Sequence, residues 1–310
     1  MEKKRLFNGT RFVLLLAGLL LIAACTAAPS PGDGADIAYD REGNPITLPE
    51  TIDTIISIGP SNTEILTALG FADKIIATDR FSADIPGIAP EIAYFDLLDL
   101  DGEQMIYLQP DVIFIAGMSR AGGGDPLRLV SDVGICVIYI PTSATIADIQ
   151  EDIRFIAAVM GVSDSGDTLV AEMDAEIARV RAIAEASDAP RTVYVEISPA
   201  PFLYSFGHGV FLHEMLEIAG AVNILADYPE WIAVTDEMVL SRNPDVIFTN
   251  VDFIDDPVGE ILSRSGWETI TAIQNGDVFA IDTNASSRPT HHIIRALDEM
   301  SRALYPEAYQ

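Results

Sequence analysis

Residues 103–114 read Glu-Gln-Met-Ile-Tyr-Leu-Gln-Pro-Asp-Val-Ile-Phe, and residues 237–248 repeat this pattern as Glu-Met-Val-Leu-Ser-Arg-Asn-Pro-Asp-Val-Ile-Phe. Each copy places a glutamate at the start of a short predicted helix, which the Pro-Asp pair ends seven residues later. Val-Ile-Phe then begins a strand that we expect to be covered on both faces. A looser repeat relates residues 61–70 to residues 210–220. Repeated units this far apart predict two lobes of similar topology rather than a solenoid.

Short apolar runs alternate with helical patterns along the rest of the chain. A capping box at residues 61–64 opens one predicted helix, and isoleucines at helical spacing follow the cap candidate Thr145 in another. Strands that alternate with helices predict an α/β fold with mainly parallel sheets. The predicted strands are Thr54–Ile58, Lys74–Thr78, Val112–Ala116, Cys136–Ile140, Thr192–Ile197, Val246–Asn250 and Val278–Ile281.

A long helix is predicted between the two halves. The segment from Ser165 to Ala186 has no proline and, after Gly166, no glycine. A helix of about 20 residues is about 30 Å long, enough to join two lobes as a stiff connection. The predicted organisation is an N-terminal lobe over residues 37–163, a linking helix over 164–188 and a C-terminal lobe over 189–310.

The N-terminus has the form of a lipoprotein signal peptide. Four basic residues precede an apolar run, residues 12–24, that is too short to span a bilayer. The run ends in Leu-Ile-Ala-Ala-Cys25, which is similar to the bacterial lipoprotein cleavage box. The alternative is an ordinary signal with an incidental cysteine, but Cys25 stands where the cut would fall. We therefore expect residues 1–25 to be removed up to a lipid-modified Cys25, residues 26–36 to form a flexible tether, and the protein to be extracytoplasmic and anchored to the cell membrane.

Charge and cysteine content narrow the classes of partner. The net charge is −29, and without residues 1–25 it is near −32, with Lys74 as the only lysine. Such a chain repels nucleic acid, so no nucleic-acid partner is expected. Cys136 is the only other cysteine, so no internal disulfide is expected and the thiol is predicted to be buried and inert.

A family resemblance rests on three groups of residues in order. They are residues 57–70 (Ser-Ile-Gly-Pro-Ser-Asn-Thr-Glu-Ile-Leu-Thr-Ala-Leu-Gly), the paired Glu…Pro-Asp-Val-Ile segments, and Ser287-Arg288-Pro289 before a final amphipathic helix. Over roughly residues 45–305 the chain resembles the helical-backbone (class III) periplasmic binding proteins of ABC importers for iron-siderophores, cobalamin and haem. The resemblance implies two lobes joined by one long helix, a ligand cleft between them, and only modest closure.

The resemblance also implies that one acidic residue of each lobe docks on arginines of a permease subunit. The matching positions are Glu103 and Glu237. A partner made of two equivalent subunits needs equivalent contacts from both lobes, which a duplicated glutamate provides. The alternative is that both glutamates merely favour the positive end of a helix.

Candidate ligand-binding residues lie in the loops expected between the lobes. Aromatic side chains would supply contact area, and arginines would suit an anionic chelate, unless Arg80 and Arg120 pair with neighbouring acids. His208 or His291 could be an axial ligand to haem iron or cobalt, or simply a polar residue at a helix start. The predicted set is Arg80, Phe81, Met118, Arg120, Tyr204, Phe206, His208, Trp231, Phe253, Arg288 and His291.

The predicted function is capture of an iron(III)-siderophore-type chelate and delivery to an ABC permease dimer with its ATPase. Cobalamin ranks second, because Leu97, Gly117 and Ala285 stand near positions that are aromatic in cobalamin-binding members, and haem ranks third. We expect a monomer without a cofactor and without a directly bound metal. No nucleophile elbow, P-loop or His-Glu-x-x-His motif is present, so an enzyme is not expected. The rival non-enzymatic class is a lipid-anchored sensor or adhesion module with the same fold.

Overall fold

The computed structural model describes residues 37–120, 125, 127–187 and 190–310. In this part the predicted α/β fold is confirmed, because helices cover two parallel sheets whose strands come from different halves of the chain. We call these halves the N-terminal lobe and the C-terminal lobe. Cys25 and the tether lie outside the described residues, as do the side chains of Met118 and Arg120.

The N-terminal lobe is built on five parallel strands. They are β1 (Ile55–Ile58), β2 (Ile75–Asp79), β3 (Ala93–Phe95), β4 (Val112–Ala116) and β5 (Cys136–Ile140). Their order across the sheet is β3-β2-β1-β4-β5. Its helices are α1 (Pro60–Ala68), α2 (Gly102–Leu108), α3 (Arg128–Asp132) and α4 (Ile146–Val159).

The capping box predicted at residues 61–64 is wrong, whereas the cap predicted at Thr145 is confirmed. Helix α1 begins at Pro60, its N-cap is Gly59, and no side chain caps it. Proline at the first helical position has a fixed φ that suits the first turn, so the helix starts earlier than the box required. Thr63 is buried instead, and its hydroxyl lies 2.8 Å from that of Ser57.

The C-terminal lobe repeats the plan and adds a ribbon. After helix α5 (Ser163–Glu185) come β6 (Thr192–Glu196), β7 (Tyr204–Phe206), α6 (Phe211–Ile218), β8 (Val222–Asn223), β9 (Trp231–Ala233), α7 (Asp236–Arg242), β10 (Val246–Thr249), α8 (Pro257–Leu262), α9 (Thr271–Asn275), β11 (Val278–Ala280), α10 (Thr283–Ser287) and α11 (Ile293–Leu304). The parallel sheet has the order β11-β10-β6-β8, and β7 pairs with β9 as a separate antiparallel ribbon.

Helix α5 connects the lobes. Its 23 residues correspond to about 35 Å. Val170, Met173 and Val180 bury one face of it. Near its start, a Cβ added to Gly166 would lie 2.5 Å from the Cβ of Ala157, so the close approach of α4 and α5 requires glycine.

One apolar layer runs through both lobes along α5. In central strands the side chains alternate between this layer and a second core that belongs to one lobe. Thus Val112 and Phe114 face the shared layer, whereas Ile113 faces the outer core of the N-terminal lobe. In β10, Phe248 faces the shared layer and Ile247 the outer core of the C-terminal lobe. The lobes are therefore packed on a common layer.

The Pro-Asp pairs of the sequence repeat fasten the same two strands in each lobe. Asp111 Oδ2 accepts hydrogen bonds from the backbone N–H and the hydroxyl of Thr54, at 2.8 and 3.0 Å. Asp245 Oδ2 accepts the corresponding bonds from Thr192, at 2.8 and 2.7 Å. Each aspartate thus joins the start of one central strand to the start of its neighbour.

We predict that Asp111→Ala lowers the free energy of unfolding by about 0.5–1.5 kcal/mol at pH 7, because the partly buried donors of Thr54 lose their acceptor. Backbone hydrogen bonds from Asp53 and Thr54 lower the pKa of Asp111. A depressed folded-state pKa gives stability that is present above the unfolded-state pKa and is lost as the pH falls through the folded-state value. The difference in the free energy of unfolding between the unchanged protein and Asp111→Ala, measured with urea, should therefore become smaller below about pH 4. Asp255→Ala, at an exposed position, is the control, and an equal loss there would contradict the assignment.

Candidate functional site

The carboxyl edges of the two sheets adjoin. Loops after parallel strands gather at one edge of a sheet, which is where open α/β sheets bind ligands. The loop after β2 is hydrogen-bonded to the segment after β11: Arg288 Nη2 donates to the Phe81 carbonyl at 2.9 Å, and Asn284 Nδ2 donates to Asp84 Oδ2 at 2.9 Å. This junction forms one end of the candidate ligand cleft.

A buried carboxylate shapes the N-terminal rim of this cleft. Asp79 is fully buried and accepts hydrogen bonds from Gly59 N, Phe81 N and Ser82 Oγ, at 2.9, 2.9 and 2.7 Å. These bonds hold the turn after β2 so that the side chains of Arg80 and Phe81 are exposed. No ion pair involves Arg80 among the described residues, so its guanidinium is not paired with the neighbouring acids.

The ribbon of β7 and β9 shapes the C-terminal rim. Tyr204 and Trp231 are 39% and 41% exposed, and both present ring surface to solvent. Phe206 pairs with Trp231 across the ribbon in an edge-to-face contact at 5.8 Å. A Cβ on Gly207 would lie 1.8 Å from the carbonyl oxygen of Tyr228, so only glycine allows the chain to pass there.

Phe206 requires a correction as a predicted ligand contact. Its side chain is fully buried, because the ribbon turns this ring into the shared apolar layer. Phe206 packs against the Trp231 ring and has no solvent-accessible surface that a ligand could contact. The other two aromatic residues of the ribbon keep their accessible faces.

The remaining predicted side chains lie around the same edge. Phe253 follows β10 and is exposed, and His208 follows β7 with its Nδ1 3.1 Å from the Ala226 carbonyl. His291 stacks on His292, with ring centroids 3.9 Å apart. Burial, then the charges of His292 and Arg295, lower the pKa of His291 to about 4. Its imidazole is therefore neutral at pH 7, which is the form that coordinates metals.

A buried ion pair joins the lobes at this edge. Arg288 Nη1 donates to Glu64 Oε1 at 2.8 Å, and its Nη2 donates to Asp84 Oδ1 at 2.9 Å. Thr290 Oγ1 donates to the other Glu64 oxygen at 2.8 Å. Burial lowers the pKa of Arg288, but the hydrogen bonds to Glu64 and Asp84 outweigh it and leave the pKa above its ordinary value. The guanidinium is thus charged, and both of its terminal nitrogens donate to carboxylates.

This ion pair changes the expected role of Arg288. The two carboxylates already balance the positive charge of this guanidinium, so it attracts an anionic ligand only weakly. Glu64, Asp84 and Thr290 were not among the predicted site residues. The one available signal was a glutamate inside the apolar pattern of α1, but nothing in the linear sequence connects it with a residue 224 positions away.

The two duplicated glutamates occupy equivalent places on α2 and α7. Each is exposed and stands two residues after a helix cap, Asp101 before Glu103 and Thr235 before Glu237. Glu237 accepts hydrogen bonds from its own backbone N–H and from the Thr235 hydroxyl, and these bonds lower its pKa. Neither glutamate forms an ion pair within the described part of the chain. Both carboxylates are therefore open to an external cation.

The described residues contain no group of three or more His, Cys, Asp or Glu side chains with the geometry of a metal site. Across residues 37–310, apart from the gaps given above, none of the helices has both the length and the apolar character needed to cross a membrane.

Comparisons with known proteins agree with this geometry. A family model described as periplasmic binding protein matches residues 55–285. The ABC transporter substrate-binding lipoprotein YvrC of Bacillus subtilis is 27% identical, covering 87% of this chain and 86% of its own. A vitamin B12-binding protein of Vibrio cholerae is 27% identical, covering 82% and 90%. A solved structure of a possible iron-binding periplasmic protein from Staphylococcus epidermidis has a TM-score of 0.72 at 26% identity, covering 83% and 100%.

We predict that Arg288→Ala lowers the free energy of unfolding by about 3 kcal/mol, because it leaves the buried Glu64 carboxylate without its cation. Arg295→Ala is the control. The ion pair of Arg295 with Asp282 is exposed, so its loss should cost less than about 1 kcal/mol. Urea unfolding followed by circular dichroism measures both. Equal effects of the two changes would show that Glu64 is not left as an uncompensated buried charge when Arg288 is removed.

Proposed function

The chain belongs to the periplasmic binding protein family, and on this premise we propose that it is the substrate-binding lipoprotein of an ABC importer for a corrinoid. The protein would bind its ligand in the cleft between the lobes without turning it over. The observation that carries the ligand class is the pair of half-exposed rings, Tyr204 and Trp231, above a cleft edge whose central arginine is already paired.

A corrinoid fits this edge on grounds of shape and charge. It is large, bears no high negative charge, and offers apolar area that aromatic rings can cover. An anionic ferric siderophore would need several free guanidinium groups, and Arg288 is committed to Glu64 and Asp84, which leaves Arg80 as the free one among the described candidates. Leu97 and Ala285 are buried, so these positions do not set the aromatic content of the cleft. The rings come instead from the ribbon, from Phe81 and from Phe253.

Similar proteins also support the proposal of a corrinoid ligand. Proteins from Vibrio cholerae and Halobacterium salinarum that are named for B12 or cobalamin binding are 27% and 24% identical to this chain. The second candidate is an anionic ferric chelate, which the exposed, unpaired Arg80 favours, as does the similarity to the possible iron-binding protein of known structure. Haem is the third ligand to test, because His291 is a neutral imidazole beside the cleft edge.

Anchoring and docking complete the proposal. The relative YvrC is a lipoprotein, which supports lipid attachment at Cys25 and an extracytoplasmic location. The exposed carboxylates of Glu103 and Glu237, one on each lobe, would pair with arginines of the two permease subunits. A sensor or adhesion module of the same fold would need neither glutamate for its function.

We predict that cyanocobalamin quenches the tryptophan fluorescence of a fragment covering residues 26–310. The chain has two tryptophans; Trp231 lies on the rim and Trp267 is fully buried. Trp231→Phe should abolish the quenching, and Trp231→Ala should weaken binding about tenfold, the effect of losing one aromatic contact.

Trp267→Phe is the matched control and should leave the quenching intact. The same titration with a ferric hydroxamate and with haemin separates the candidates. A response to the hydroxamate alone would replace the corrinoid by the second candidate. A response to none of the three would contradict the whole ligand proposal.

We also predict that replacing Glu103 and Glu237 together by alanine abolishes uptake of radiolabelled cyanocobalamin by cells. Affinity for the ligand in solution should not change, because both side chains lie outside the cleft rims described above. Glu172 and Glu185 are exposed on α5, so their double replacement by alanine removes the same charge elsewhere and serves as the control. Normal uptake by the Glu103 and Glu237 variant would show that these residues do not dock the permease.

A further inference from the structure

Three side chains are the most exposed large apolar groups in the described part of the chain. Tyr107 is 84%, Phe202 80% and Leu98 76% exposed. Tyr107 lies on the same helix as Glu103, Leu98 lies in the turn before that helix, and Phe202 lies in a loop that is bonded to the segment before Glu237. Burial of large apolar groups is favourable, so a partner that covers these three side chains would gain binding free energy from them.

In the N-terminal lobe the ring and the carboxylate share one helix face. Tyr107 stands one turn after Glu103 on α2, and side chains four positions apart on a helix are neighbours. The opposite face of α2 is held in the outer core by Met105, which is fully buried. Leu98 lies in the turn that leads into this helix, where its N–H donates to Asp96 Oδ1 at 3.0 Å.

In the C-terminal lobe a different segment supplies the ring. Ser241 occupies the position of the repeat that corresponds to Tyr107, so α7 carries no aromatic there. Phe202 lies instead in the loop between β6 and β7. Its neighbour Leu203 accepts the Val234 N–H at 2.9 Å, three residues before Glu237. The loop with Phe202 is thus fastened to the segment that leads into α7.

We propose that Glu103 with Tyr107 and Leu98, and Glu237 with Phe202, form two mixed contact points for the permease dimer. This inference rests on the proposed function and adds the apolar half of the docking surface. Each carboxylate would set orientation by pairing with a cation, while each ring would enter an apolar pocket beside that cation. Aromatic side chains bury roughly 150–250 Å² each and dominate the binding energy of interfaces.

The charge of the chain favours the permease over a second copy of this protein as the occupant. With a net charge near −32 after residue 25, two copies would bring carboxylates against carboxylates. A partner with basic groups around apolar pockets has the opposite pattern. The two points come from lobes of similar topology, so the partner needs two similar subunits, each with one such pocket.

The test uses the lipidated protein and the permease–ATPase complex reconstituted in nanodiscs, with binding followed by surface plasmon resonance. Tyr107→Ala and Phe202→Ala should each weaken binding at least about tenfold, because each removes a central aromatic contact. Tyr107→Phe keeps the ring and should stay within about threefold of the unchanged protein. Tyr39→Ala, an exposed tyrosine outside both points, should have no effect. Circular dichroism checks that every variant is folded.

The outcomes separate this inference from the proposed function. If Glu103→Ala weakens binding while Tyr107→Ala and Phe202→Ala do not, the apolar contacts are refuted and the docking glutamates stand. If Phe202→Ala lowers cyanocobalamin affinity and leaves permease binding unchanged, Phe202 belongs to the ligand cleft and the C-terminal half of the inference fails. If the unchanged protein does not bind the permease at all, both the inference and the importer function fail. A dimer in solution that dissociates in Tyr107→Ala would assign the surface to a second copy.

Discussion

A continuous apolar layer along α5 holds the lobes of this protein together. Central strands of both sheets contribute every second side chain to it, and α4, α6 and α11 close it from outside. Gly166 lets α4 approach α5, and at the other end Gly220 meets Ala184 of α5 at a distance that a larger residue could not keep. Because close-packed layers resist deformation, the lobes cannot swing far apart without exposing this layer. The cleft edge is therefore set in place before any ligand arrives.

The buried ion pair of Arg288 with Glu64 also restrains the relative motion of the two lobes, on the side of the cleft. It joins α1 of one lobe to the segment before α11 of the other, and Asp84 extends it toward solvent. A charge pair this deeply buried adds little net stability by itself but penalises any state that separates its members. The apolar layer and the ion pair thus restrict the same motion from two sides. This arrangement favours the modest closure that the family resemblance implies.

The two lobes show how a duplicated plan supports different surfaces. The aspartates that fasten the central strands occupy equivalent places, as do the glutamates at the starts of α2 and α7. The cleft rims, by contrast, are unlike. The N-terminal rim is a short turn organised by Asp79, whereas the C-terminal rim is an antiparallel ribbon that has no counterpart among the described residues of the other lobe. The two lobes thus share the hydrogen bonds of these aspartates but differ in their cleft rims.

Local sequence patterns predicted the fold class, the repeat and seven of the eleven strands in the described residues, because periodicity and Pro-Asp breaks act over a few residues. They missed the short strands Ala93–Phe95, Tyr204–Phe206, Val222–Asn223 and Trp231–Ala233, which depend on pairing with distant segments rather than on their own apolar content. They also placed Phe206 on the surface and Arg288 in the ligand site. Both positions depend on contacts between segments that are distant in the chain. One ring is buried by a ribbon formed between residues far apart in sequence, and one guanidinium is claimed by carboxylates of the other lobe, 204 and 224 positions away.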